Sequence, residues 1–324
     1  MRRAAPLLPV LLLVLASGLA LAACGQQADP PASDARPTSS DDPRFWPLAA
    51  YDMSDDDGRT VGRARWTLAK ECMDRLGFDS LKNLAVDPVP AWPERPSGTG
   101  VLLATVYASD DFRYGIQDPE QAARYGYQAA QAEYERRYPE KKWTLSEHLA
   151  LTGHFVGDDP KTVHGHRIPK RGCLGEADRT IYGTNPQDRK DPVLDLESKS
   201  LRQGWRDPAW KKADKAWSAC MRKAGYPYAT PRAAENDPDR DRQELEERLA
   251  DPQYDPTQPS ALDKKTAVAD ARCKRQTGYV RIVHAVDVRI QNQLVAKNRK
   301  KLEEQRRWNH DAVREAHDIL EDRS

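Results

Sequence analysis

Cys72-Met73-Asp74-Arg75-Leu76-Gly77-Phe78 and Cys220-Met221-Arg222-Lys223-Ala224-Gly225-Tyr226 share one pattern: Cys-Met, three residues, glycine, aromatic. The residues before each copy explain it. Val61, Ala64, Leu68, Ala69, Cys72, Met73 and Leu76 recur at spacings of three and four. So do Ala209, Ala213, Ala216, Trp217, Cys220, Met221 and Ala224. Each copy therefore closes an amphipathic helix. The glycine allows the left-handed turn that satisfies the last carbonyls, and the aromatic after it folds back on the helix. The cysteine, one turn earlier, faces the core. The expected fold is mainly α-helical, in two loosely repeated halves, 45–187 and 188–324, the second ending in a long C-terminal helix.

The first motif helix has a clear start, with Ser54 as N-cap and Asp55, Asp56 and Asp57 favouring the positive end of the helix dipole. Asp118-Pro119-Glu120-Gln121 predicts another start, with Pro at the first helical position, and a helix running to about Tyr138. Val101 to Tyr107 is a short apolar run, a strand or a buried extended piece. Further helices are expected over Ser146 to Gly153, Cys173 to Tyr182 and Pro192 to Gln203, with residues 154–172 as loop. Asp207-Pro208 starts the second motif helix, and a short polar helix is expected near Arg240 to Leu249. From Ser260 the chain reads as helix nearly to its end, interrupted at Gly278. Past Lys297 the apolar pattern thins amid charge, so that end is expected to be solvated.

Each motif is followed by one more cysteine on a predicted helix, Cys173 after the first and Cys273 after the second. The simplest pairing is Cys72–Cys173 and Cys220–Cys273, one bridge per half; four cysteines allow two other pairings. A metal site with four thiolate ligands and a redox pair are the rival readings, and neither C-x-x-C nor zinc-module spacing is present.

Those four leave one of the five cysteines over: Cys24. It ends Leu21-Ala22-Ala23-Cys24, a lipobox, behind Arg2, Arg3 and an apolar core from Leu7 to Leu21 of signal-peptide length. Residues 1–23 are expected to be a lipoprotein leader and Cys24 the lipidated first residue of the mature chain. Two acyl chains make a stable anchor where one binds reversibly. Ala20-Leu21-Ala22 is also an acceptable site for ordinary secretion. That alternative would leave an exported protein with an odd thiol. Residues 24–44, rich in Pro, Ser, Asp and Gln, read as a flexible tether.

The lipobox, the doubled motif and Trp217-Ser218-Ala219-Cys220-Met221 together resemble a group of uncharacterised actinomycete lipoproteins. So does Ala269-Asp270-Ala271-Arg272-Cys273 leading into a long helix with Gln291-Asn292-Gln293-Leu294. The resemblance implies an exported, lipid-anchored protein and brings no activity, substrate or site with it.

Removing Arg2 and Arg3 shifts the formal charge from +1 to −1, a balance that argues against a nucleic-acid partner. His148, His154, His164 and His166 lie within nineteen residues, but there is no H-E-x-x-H, and the last three fall in a polar loop of the kind that holds exposed histidines, so metal ligation is disfavoured. Asp55-Asp56-Asp57-Gly58 lacks the carboxylate positions of a calcium loop and reads as a helix cap. No nucleophile elbow or phosphate-cradling glycine loop is present, and no cofactor is implied. Lys297, Arg299, Lys300, Lys301, Arg306 and Arg307 read as a solvated face, with Glu303–Arg307 a favourable pair. The expected function is a non-enzymatic, lipid-anchored envelope module. It would sit at the membrane through Cys24 and bind an envelope protein complex or the cell wall. The alternative is an extracytoplasmic hydrolase of wall glycan or peptide. A two-lobed small-ligand receptor is disfavoured because alternating βαβ units are missing.

Overall fold

Serine, threonine or aspartate caps open most of the helices in the computed structural model of the chain, which describes residues 42, 45–96, 113–128, 141–240, 242, 243, 246 and 259–323. Ser54 Oγ accepts from Asp57 N (3.0 Å) at the head of α1, Asp55–Arg75. Asp118 opens α2, Pro119–Tyr125, and a Thr144/Glu147 capping box opens α3, Leu145–Thr152. A small hairpin follows, β1 (Thr162–Val163) antiparallel to β2 (His166–Arg167). His164 and Gly165 both have positive φ, as a two-residue hairpin loop requires. Then come α4 (Gly172–Tyr182), α5 (Pro192–Gly204), α6 (Pro208–Lys223) and the short α7 (Pro231–Glu235). The chain ends in α8 (Ala261–Thr277) and the 43-residue α9 (Tyr279–Glu321). The fold is mainly α-helical with a long C-terminal helix, and the described residues lie in one compact unit.

The two copies of the opening motif end their helices identically. Phe78 N donates to Met73 O (3.0 Å) and Gly77 N to Asp74 O (2.9 Å). Tyr226 N donates to Met221 O (2.9 Å) and Gly225 N to Arg222 O (3.1 Å). This is the Schellman arrangement, with glycine in the left-handed region at φ +83° and +91°. Phe78 lies in the same buried cluster as Met73, and half-buried Tyr226 packs on the cluster holding Met221. The left-handed turn favours glycine by roughly 1–2 kcal/mol. Gly225→Ala is therefore expected to cost about that much, since the space around its missing Cβ is open. Gly77→Ala should cost more, because the new methyl would meet the His164 ring at 3.1 Å. Urea unfolding of both variants checks this. A Gly225→Ala protein as stable as the wild type would contradict the turn.

Bridges Cys72–Cys173 and Cys220–Cys273 join α1 to α4 and α6 to α8, with Cα–Cα distances of 5.5 and 5.6 Å. Around the first, Trp66, Met73, Trp143, Leu149 and Leu174 form one buried cluster. Trp210, Trp217 and Met221 on α6 pack with Val283, Ile290 and Leu294 on α9 in another.

Three expectations are corrected. The α-helix from Asp118 ends at Tyr125 and passes into a 3-10 turn, Gly126–Gln128, because Gly126 turns the chain (φ +59°) and Asp263 takes the Tyr127 N–H at 2.9 Å; residues 129–138 of the expected helix lie outside the described residues. The stretch 154–172 is not all loop, since it contains β1 and β2. The far end of α9 is not solvated. Ala312, Ala316 and Ile319 pack on Val61 and Ala64 of α1 and Ile181 of α4, and Leu302 is fully buried. The backbone of α9 breaks locally at Asn298 (φ −123°, ψ 15°), whose Nδ2 donates to Leu294 O at 2.7 Å. Val101–Tyr107 lies outside the described residues, as do residues 1–41 and most of the stretch expected as helix near Arg240 to Leu249.

Candidate functional site

Of the residues singled out from the sequence, Cys24 lies outside the described residues. The other four cysteines are spent in the two bridges. Cys72, Cys173 and Cys273 are buried, while Cys220 is half-buried and lies 3.3 Å from Gln276 Oε1.

The histidines have separate partners. His148 is buried on α3, with Nδ1 3.1 Å from Pro93 O. Burial holds its pKa below the ordinary imidazole value despite that carbonyl. His164 Nδ1 stands 2.9 Å from Leu76 O, and its ring packs on Phe78 with centroids 4.6 Å apart. The hairpin thus leans on the end of the first motif. His154 and His166 are exposed. Among the described residues, no three His, Cys, Asp or Glu side chains come together in a way that could hold a metal ion.

Two charged clusters that the sequence reading missed are buried. Asp287 on α9 accepts from Arg113 Nε (2.5 Å), Tyr114 Oη (2.9 Å) and Ser200 Oγ of α5. Burial alone would raise the Asp287 carboxyl, but the Arg113 charge and these donors hold it below its ordinary value. In the second cluster, Lys274 Nζ donates to Asp270 Oδ2 (3.0 Å) and Ile116 O (3.1 Å). Trp217 Nε1 donates to the other Asp270 oxygen at 2.8 Å. Here burial dominates and raises the Asp270 carboxyl, with Lys274 opposing it. Both clusters tie residues 113–117 to α8 and α9. In each cluster the carboxylate accepts from more than one element of the fold, so both act as cross-ties.

The sequence did carry a signal for them. Val283, Asp287, Ile290 and Leu294 step by four, three and four, which puts a carboxylate in the middle of an apolar stripe. Asp270 and Lys274, one turn apart, likewise sit among buried Ala267, Ala271 and Cys273.

Two shallow grooves open at the surface. One, of about 320 Å³, lies at the α8–α9 elbow and is lined by Gln117, Asp118, Lys274, Arg275, Gly278, Val280 and Arg281. Its cations are partly neutralised, Lys274 by Asp270 and Arg275 by Asp118 at 3.5 Å. The other, of about 430 Å³, lies beside the hairpin and is lined by Phe155, Lys161, Arg167, Ile168, Pro169 and Lys170. The chain matches no protein-family model, no curated protein and no solved structure.

Elsewhere the surface is mixed. Lys297, Arg299, Lys300, Lys301, Arg306 and Arg307 are exposed on α9, and Glu303 pairs with Arg306 at 2.7 Å instead of with Arg307. No helix among the described residues is long and apolar enough to cross a membrane.

Proposed function

We propose that the chain is an exported lipoprotein, held at the outer face of a membrane by lipid on Cys24. In this reading it acts there as a binding or accessory module for an envelope protein complex or the cell wall. The observation that carries it is the fate of the cysteines. Four of the five are joined to one another in two bridges, which persist in oxidising compartments. Cys24 is the one left over, and it ends a lipobox behind a short apolar leader. Its acylation removes the odd thiol that plain secretion would leave.

The way the buried charges are used supports the non-enzymatic part of this reading. Asp287, Arg113, Asp270 and Lys274 are each engaged by another element of the fold, and Asp178 with Arg65 and Asp263 with Arg240 form further pairs of the same kind. The likeness of the doubled motif to actinomycete lipoproteins agrees with this reading.

Cys24→Ser tests it. The variant is expected to stay unprocessed or to appear in the medium, and to lose incorporation of a fatty-acid label nearly completely. A processed Cys24→Ser protein retained in the membrane fraction would overturn it.

A further inference from the structure

We propose that the basic groove beside the β1–β2 hairpin docks on the anionic headgroups of a lipid bilayer, with Phe155 and Val156 entering the headgroup–acyl boundary. This rests on the reading that the chain works at a membrane surface, but not on which residue anchors it.

Charge comes first. Lys161, Arg167 and Lys170 converge on one groove with no carboxylate in its lining. All three are exposed, and among the described residues none of their side chains has an ion pair. The elbow groove differs here, since Asp270 and Asp118 compensate two of its cations. An unpaired cationic concavity suits a phosphate-bearing surface, towards which each added Lys or Arg strengthens binding severalfold at low salt.

The apolar component comes from the adjoining loop. Val156 is 55% exposed, the most exposed large hydrophobic side chain among the described residues. Phe155 beside it is half-buried and lines the groove. The loop is also held in place. Val156 N donates to Asp159 Oδ2 (2.7 Å), and Asp159 takes both Nη atoms of Arg95 at 2.7 and 2.8 Å. That bidentate pair uses up the Asp159 charge, leaving exposed Asp158 as the loop's counterweight to three cations. An apolar tip flanked by basic residues is the composition of an interfacial anchor. A second weak contact would also set the orientation of a protein held by a lipid at the other end.

The test compares the full chain with Lys161→Glu/Arg167→Glu/Lys170→Glu on vesicles of phosphatidylglycerol and phosphatidylcholine and on phosphatidylcholine alone. Everything N-terminal is common to both proteins and cancels. The triple variant is expected to partition about a hundredfold less onto the anionic vesicles. The wild-type preference should vanish in 0.5 M salt, as surface electrostatics does. Amide exchange over residues 153–168 should slow on anionic vesicles only. Val156→Ser should lower partitioning without altering the salt dependence, which guards against a folding defect in the triple variant. Equal partitioning of wild type and triple variant, or unchanged exchange over 153–168, would overturn the proposal. Binding to soluble poly(glycerol phosphate) with no preference for anionic vesicles would overturn the lipid assignment. Each result leaves the Cys24→Ser outcome independent.

Discussion

Replacing Cys72 and Cys173 together by alanine is expected to cost the folded protein about 5 kcal/mol. The bridge closes a sequence separation of 101 residues, for which the chain-entropy relation gives about 4.7 kcal/mol. Both sulfurs also lie in the cluster of Trp66, Met73, Leu149 and Leu174, so their removal leaves unfilled space that adds to the loss. Cys220–Cys273 closes 53 residues, for which the same relation gives about 4.2 kcal/mol. Cys220 is only half-buried, so that double variant should be the milder of the two. Domains are stable by about 5–15 kcal/mol, so losing the first bridge consumes much of the margin. Urea titration of both double variants near 10 °C decides the matter, with midpoints and slopes read separately because an uncrosslinked denatured chain exposes more surface. Two variants within 1 kcal/mol of the wild type would show that packing, and not the bridges, holds α1 to α4 and α6 to α8.

The bridges were legible in the sequence because helix ends are local. A cap, an apolar stripe and a terminal glycine lie within about 25 residues of one another, and the two motif helices repeat that grammar. Once both cysteines were seen to sit one turn before a helix end, one later helical cysteine remained for each. What the sequence hid was long-range. The distal half of α9 is buried through alanines, Ala312 and Ala316, and through polar Gln305 and Asn309. Gln305 Nε2 bonds Asn309 Oδ1 at 3.0 Å, and Asn309 Nδ2 bonds Tyr51 O at 3.2 Å, so amides cross-tie a stretch whose pattern resembles a solvated face. The basic groove was hidden for another reason. Lys161, Arg167 and Lys170 follow no helical or strand period, and only the turn at His164 and Gly165 brings them together.

Lys274→Met carries the other large effect, expected at about 3–5 kcal/mol near pH 7. Lys274 is 2% exposed and Asp270 is fully buried, so removing the ammonium leaves a carboxylate in the core with Trp217 still donating to it. The Ile116 carbonyl loses its donor in the same step. Burial already raises the Asp270 carboxyl above its ordinary value, and Lys274 is the group that pulls it back. Without Lys274 the folded-state pKa rises further, while the unfolded value stays near 3.8. The folded variant then binds more protons than the unfolded chain at every pH between those two values, so its stability is greatest below 3.8 and falls as pH rises through the folded value. The gap between wild type and Lys274→Met should therefore narrow in acid. Asp270→Asn combined with Lys274→Met removes both charges and keeps an acceptor for the Trp217 indole. It should recover most of the loss, with a coupling on the order of 2–3 kcal/mol across the double-mutant cycle. Thermal or urea unfolding of the three proteins between pH 4 and 8 measures both effects. A single variant within 1 kcal/mol of the wild type at pH 7, or a gap that widens in acid, would mean that Asp270 keeps its charge by other means. The pair would then not be what holds residues 113–117 against α8.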